Sequence, residues 1–223
     1  MDINKYGRTM QKNLKIGIVG VPGTGKTTLA RALASKCRSI EGLEHVELVQ
    51  EYARRYLSKH GEITSIFEQY RILRKQLEWE DSVCNDQLDI MITDSPVFLG
   101  FVYSCGFPRS TSKEMMFFTD VFKEMVKINS PPRYDMIFHL KPTLKPVEDG
   151  IRPALHFDDG WRDKADMMIR ATMEIFRPNF YFEVEQEDVE RRTDFCLEKL
   201  RSLKSMADAA DIQPPCIQKG GIL

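Results

Sequence analysis

Apolar residues along this chain fall into two rhythms. Short, nearly unbroken apolar runs alternate with longer stretches in which apolar positions recur every three or four residues. The first rhythm marks strands buried on both faces, and the second marks amphipathic helices. Residues 14–20 are the first predicted strand, and residues 25–37 the first helix. Residues 46–50 are the next strand candidate, followed at once by Glu51-Tyr52-Ala53-Arg54-Arg55-Tyr56-Leu57. Residues 65–85 predict a long helix with Ile66, Tyr70, Leu73, Leu77 and Cys84 on one face. Residues 88–93 read as a buried strand ending at Asp94. A helix over 115–128 turns Phe118, Val121, Phe122 and Met125 inward, and a strand follows at 134–140. Residues 161–176 are helical, 180–184 form the last strand, and Val189, Thr193, Cys196, Leu200 and Leu203 face inward from a final helix.

Strands alternating with helices predict an α/β fold of three layers, a central parallel sheet covered on both faces. In such folds ligands sit beyond the carboxyl ends of the strands. With 223 residues the chain suits one domain of this kind. Residues 1–13 read as a loose arm, 14–204 as the folded domain, and 205–223, with Pro214-Pro215 and Gly220-Gly221, as a flexible tail. Residues 141–163 include a long stretch rich in Pro, Gly and charge, predicted to be a lid.

Composition narrows the picture. The 32 basic and 33 acidic residues leave a net charge of −1, so no global basic excess argues for non-specific nucleic-acid binding. Five scattered cysteines without a C-x-x-C fit reduced thiols and a cytoplasmic location. The four histidines are scattered too, which predicts no zinc site. The polar start is not a signal peptide, and no apolar run approaches membrane-spanning length. The oligomeric state has no signature in the sequence.

Chemistry concentrates first in Gly20-Val21-Pro22-Gly23-Thr24-Gly25-Lys26-Thr27, which fits G-x-x-x-x-G-K-[ST], the phosphate-binding loop of P-loop NTPases. Small residues let the backbone turn tightly, so successive N–H groups face a phosphate. Gly20, Pro22, Gly23, Thr24, Gly25, Lys26, Thr27 and Thr28 are the expected ATP-binding residues. Lys26 reaches the β- and γ-phosphates, and the Thr27 hydroxyl ligands Mg²⁺. The strand before this loop and the helix after it are what the motif requires, and the helix N-terminus adds partial positive charge.

Three further stretches fall at predicted strand ends. Asp94, in Ile92-Thr93-Asp94-Ser95-Pro96, is the expected second metal residue, as a Walker-B carboxylate is. It or Ser95 could equally cap a helix starting near Pro96. Glu51, with Arg54 and Arg55 three and four residues on, is the candidate acceptor pocket: the carboxylate orients a hydroxyl and an arginine holds a phosphate. The bland alternative is a surface ion pair. The lid stretch carries Glu148-Asp149-Gly150-Ile151-Arg152 and Asp158-Asp159-Gly160-Trp161-Arg162. Arg152 and Arg162 are its candidate catalytic cations, since phosphoryl transfer needs a closing segment that excludes water and supplies charge.

With these residues in place the chain resembles P-loop nucleoside and nucleotide kinases, in particular the ribosylnicotinamide kinase domain of bifunctional NAD-biosynthesis regulators and its phage relatives. The resemblance spans about 14–203 and rests on Gly20 to Thr28, on Glu51-Tyr52-Ala53-Arg54-Arg55-Tyr56, on Ile92-Thr93-Asp94 and on Asp149-Gly150-Ile151-Arg152. It implies that Lys26 and Thr27 handle ATP and Mg²⁺, that Asp94 is the strand-end acid, and that Arg152 is the lid arginine. Nucleoside and thymidylate kinases often carry Asp-Arg at the strand end, where this chain has Asp94-Ser95-Pro96.

The leading expectation is a kinase moving the γ-phosphoryl of ATP to a hydroxyl of a small nucleoside- or nucleotide-like acceptor. One alternative is a kinase acting on a hydroxyl of nucleic acid, such as a hydroxymethylated base in phage DNA. For it, Arg71, Arg74 and Lys75 could form a local basic stripe. The other alternative is a P-loop ATPase or switch protein. Against a GTPase there is no N-K-x-D element, and against a large mechanical ATPase the chain is short.

Overall fold

A computed structural model describes residues 14–107, 111–130, 132–143, 145, 150–152 and 154–211. Five strands, β1 (Leu14–Val19), β2 (Val46–Val49), β3 (Ile90–Thr93), β4 (Met136–Leu140) and β5 (Phe180–Val184), form one sheet in the order β2-β3-β1-β4-β5. Every pairing is parallel. The helices between them are α1 (Lys26–Cys37), α2 (Tyr52–His60), α3 (Ile66–Val83), α4 (Phe98–Ser104), α5 (Ser112–Ile128), α6 (Asp159–Phe176) and α7 (Val189–Asp211), with a 3₁₀ turn at Ala154–Phe157.

The period-two alternation of the strands sorts the core into two halves. Ile16, Ile18, Ile90, Ile92 and Phe138 pack against Leu29, Leu33, Cys196 and Leu200 of α1 and α7. Val19, Met91 and Ile137 face the other way, onto Leu73, Phe98, Val121, Met125 and Ile169 of α3, α4, α5 and α6. This is the three-layer fold that the alternating rhythms predict.

The predicted faces hold with instructive exceptions. On α3, Leu73 is buried, and Tyr70, Leu77 and Cys84 pack against the same cluster. Glu80 lies on this face too and is fully buried. It accepts hydrogen bonds from the Tyr134 hydroxyl at 2.8 and 3.0 Å and from Arg133 Nε at 3.0 Å. The same Tyr134 oxygen accepts from the Val97 N–H at 2.7 Å, tying α3, the start of β4 and the entry to α4 together. On α7, Val189 does not face inward as its spacing predicts: it is 40 % exposed. It sits in the first helical turn, where the Asp188 carboxylate accepts from the N–H groups of Glu190 and Arg191, and Arg192 takes the inward position. The helix also runs to Asp211, past the expected end of the domain at 204. The predicted arm at 1–13 and most of the predicted tail, 212–223, lie outside the described residues.

α5 starts at Ser112 rather than 115, because Thr111 and Glu114 form a capping box. The Thr111 hydroxyl accepts from the Glu114 N–H at 3.2 Å, and the Glu114 carboxylate accepts from the Thr111 N–H at 3.0 Å. Among the described residues no helix is long and apolar enough to cross a membrane.

Candidate active site

The site starts where β1 ends. Gly20 has φ +146, and a Cβ there would stand 2.7 Å from the Leu140 carbonyl oxygen and 2.9 Å from Thr24 Oγ1. Only glycine lets the loop leave the sheet this close to the end of β4. Gly25, at φ +87, is the residue before α1. Between these turns, Thr24 Oγ1 donates to the Val21 carbonyl at 2.9 Å, and Lys26 Nζ donates to the same oxygen at 3.0 Å. No backbone N–H from Gly23 to Thr28 has a protein acceptor among the described residues. The loop therefore presents a row of unpaired donors at a helix N-terminus, which is an anion site. Pro22 is buried, Gly23 partly so, and Thr28 is exposed at the start of α1.

Lys26 is buried, and burial pulls its ammonium down to about 8. The Glu51 and Asp94 carboxylates oppose that fall, while Arg152 and Arg54 add to it. Four of the six other candidate charges thus act on one amine. Because β3 directly neighbours β1, Asp94 lies beside the loop without an intervening strand. It is 2 % exposed, and its Oδ2 accepts from the Thr27 hydroxyl at 2.5 Å. Its Oδ1 is buried with no hydrogen-bond partner among the described residues. Burial pushes the Asp94 carboxyl up, against the pull of the Thr27 bond. A hydroxyl and a carboxylate at bonding distance, with one carboxylate oxygen left over, fit a hard divalent cation and its water shell.

Glu51 precedes α2, and its carboxylate joins two of the expected arginines. Arg152, from the lid stretch, donates a hydrogen bond to Glu51 Oε2, and both side chains are more than nine-tenths buried. Arg54 Nε lies 4.0 Å from the same oxygen. Arg55 does not join them. It is exposed, with its guanidinium 5.7 Å from the centroid of the Trp79 ring. Arg162 is also not on a loop: it sits in the first turn of α6, 3 % exposed, donating to Asp159 Oδ1 at 3.2 Å. Asp158 caps that helix by accepting from the Trp161 N–H at 3.0 Å. Glu148 and Asp149 lie outside the described residues.

Sequence reasoning missed several residues. The Tyr103 and Trp161 rings stack with centroids 6.2 Å apart and 12° between planes, and His156 stacks on Trp161 at 4.3 Å. Burial raises the Tyr103 phenol, and the Glu51 and Arg152 charges both act on it, so the ring pair adjoins the carboxylate–arginine pair. Tyr103 lies on α4, in the apolar run after Pro96 that could have announced a helix. Arg192 is 3 % exposed and donates from Nη1 to the Thr24 carbonyl at 2.6 Å. Away from the site, Glu44, His45 and Asp89 gather their ligand atoms within 4.8 Å, but they are mostly exposed, and hydrogen bonds between His45 and Asp89 account for their contact.

The fold and the loop define a P-loop nucleotide-binding domain with the architecture of nucleoside and nucleotide kinases. A family model described as an AAA domain matches residues 15–192, and the chain belongs to that family. In structure it is similar to the NadR protein in complex with NR, at 16% identity and TM-score 0.67, over 86% of this chain and 49% of that one. It thus spans about half of that NadR chain. It is also similar to thymidylate kinase from Ehrlichia chaffeensis (20% identity, TM-score 0.55, 87% and 99% of the two chains). Deoxyadenosine kinase from M. mycoides with bound dATP gives 16% identity and TM-score 0.54 over 84% and 100%. No curated protein matches the sequence.

Proposed function

We propose that this protein is an ATP-dependent kinase that transfers the γ-phosphoryl group to a hydroxyl of a nucleoside- or nucleotide-like acceptor. The observation that carries this reading is the buried Glu51–Arg152 pair, whose charges act on both Lys26 of the phosphate loop and Tyr103 of the ring pair. A hydrolytic site could also use a buried carboxylate to orient water, but the aromatic pair beside this one is what an acceptor base would use. That two relatives in fold are kinases of nucleosides or nucleotides supports the reading.

In this reading the loop N–H groups and Lys26 bind the polyphosphate. Thr27 and Asp94 would hold Mg²⁺, which would supply positive charge to the polyphosphate. Glu51 orients the acceptor hydroxyl. In a loose transition state that hydroxyl loses its proton late, so orientation matters more than proton abstraction. Arg152 meets the charge that develops on the moving phosphoryl group. The nearly parallel Tyr103 and Trp161 rings mark the side of the pocket on which an acceptor base would lie. Arg54 supports Glu51, Arg162 braces the start of α6, and Arg55 stands at the outer rim. The reaction draws on cytoplasmic ATP.

The test is incubation with γ-labelled ATP and separate panels of nucleosides, nucleotides and single-stranded DNA. Label in a nucleoside or nucleotide product is the expected result. Label appearing only as inorganic phosphate, whatever acceptor is added, overturns the kinase reading in favour of an ATPase. One observation favours a nucleic-acid acceptor: an open groove between α2 and α3 is lined by Tyr52, Tyr56, Tyr70, Arg71, Arg74 and Lys75. Rings and cations in one groove suit a single strand. Yet Arg74 is paired with Glu124 at 2.5 Å and Lys75 with Glu78 at 2.5 Å, so this groove is less basic than its cations suggest. Label in the DNA panel alone would favour it.

A further inference from the structure

We propose that Arg192 is a positioning residue for the nucleotide phosphates, acting through the Thr24–Gly25 peptide. The proposal rests on the phosphate loop binding a nucleotide.

A loop that turns its N–H groups inward must turn carbonyls outward, and buried carbonyls need donors. Three of them are accounted for. The Val21 oxygen accepts from Thr24 Oγ1 and Lys26 Nζ, and the Gly25 oxygen from the Leu29 N–H at 3.0 Å. Both sets of donors are local. The Thr24 oxygen is different: its donor is Arg192 Nη1, 168 residues away in sequence. The Thr24 carbonyl and the Gly25 N–H are two ends of one peptide group. A cation bonded to the oxygen polarises that group and makes its N–H a stronger donor toward an anion. It also holds the peptide in one orientation. Were the peptide to flip, the carbonyl would face the phosphates. Gly25 permits the approach, because a Cβ there would stand 3.2 Å from Arg192 Nη1.

The electrostatics of Arg192 point the same way. Its Nε donates to the Gln186 carbonyl, so one guanidinium links the phosphate loop to the β5–α7 turn. No carboxylate among the described residues forms a salt bridge with it, and its Nη2 is buried without an acceptor. Burying a cation without a counter-ion is costly. An apolar side chain would remove that charge but leave the Thr24 and Gln186 carbonyls without a donor. The Glu187 carboxylate opposes the cost of that burial without forming a salt bridge, and a polyanion bound one peptide away adds negative charge closer at hand.

Calorimetric titration of the full chain with inorganic tripolyphosphate, beside thermal melts, tests this in Arg192→Met, Arg192→Lys and Arg192→Gln. Arg192→Met, which leaves the Thr24 and Gln186 carbonyls without their donor, is expected to melt lower than the wild type and, titrated well below its melt, to bind tripolyphosphate about tenfold more weakly. Arg192→Lys should recover most of that affinity, since it returns a charged donor. Arg192→Gln, a donor without charge, should fall between the two, and it decides the matter if the Met variant does not fold. Equal affinity in the wild type and either uncharged variant overturns the proposal, as does a loss that lysine does not recover. If the wild-type chain binds no tripolyphosphate at all, the nucleotide reading itself is overturned, and this proposal with it.

Discussion

At the scale of single residues, burial of charge decides most of what this site does. Lys26 is the clearest case. Its pKa falls from 10.5 to about 8 in the folded chain, so the charged form is disfavoured by the fold. Between those two values the unfolded chain holds a proton that the folded chain has released, and stability rises with pH across that window. Below it the cost of burying the ammonium is fully present. In thermal melts the nucleotide-free wild type should therefore gain stability relative to Lys26→Met from pH 8 toward 10, the difference separating Lys26 from Cys37 and Cys196, whose raised thiols act the other way. The same variant should melt no lower than the wild type at pH 7 while losing phosphoryl transfer. Tripolyphosphate affinity should move oppositely, declining as pH passes 8, because the anion needs the charged amine. A second residue-scale case lies in the core. Tyr134→Phe removes the acceptor of the Val97 N–H and a donor to Glu80. Leaving such groups unsatisfied costs about 1–3 kcal/mol, which urea unfolding would read directly. These two residues also mark what a sequence can reveal. Lys26, Thr27 and Asp94 were legible because a motif and a strand end announce them. Glu80 and Arg192 were not, because a charged residue in an apolar helical row looks like an interruption, and its partners are far away in sequence.

At the scale of elements, the strands were placed within about two residues by their apolar runs. Helix ends were less legible where polar side chains rather than apolar spacing set them. The start of α5 is an example, since Thr111-x-x-Glu114 was the available signal. Thr111→Ala should cost about 1 kcal/mol, measured as a lower urea midpoint at unchanged slope. α4 was foreseen only as a helix beginning near Pro96, yet it carries Tyr103 into the site. β4 hides a second buried network. His139 Nε2 bonds Asp166 of α6 at 2.8 Å and its Nδ1 bonds the Tyr181 hydroxyl of β5 at 2.6 Å. This fastens α6, and with it Trp161 and Arg162, to the sheet. Of the two arginines expected on a lid, only Arg152 meets Glu51; Arg162 stands in the first turn of α6, a helix expected from 161 and beginning at Asp159.

At the scale of the whole molecule, the strand order brings the phosphate loop, Asp94 and Glu51 to one edge, since β2, β3 and β1 are neighbours and all point the same way. The Arg152–Glu51 bridge closes that edge across 101 residues of sequence. Each partner is one that a substrate wants: the carboxylate for a hydroxyl, the guanidinium for a phosphate. In the proposed reaction, an acceptor hydroxyl that takes over Glu51 Oε2 releases Arg152, and a released Arg152 is then available to ATP. Binding of either substrate therefore lowers the energy needed to seat the other, and the linkage must be equal in both directions. Titration of ATP in the presence of a saturating acceptor should give tighter binding than ATP alone, and acceptor affinity should rise by the same factor with a non-hydrolysable ATP analogue. Glu51→Gln weakens the bridge and should shrink that factor toward one. Arg152→Ala should do the same, with turnover cut far more than ATP affinity. The ion pair thus makes synergy between two ligands a property of the empty protein, set by the side chains they must separate.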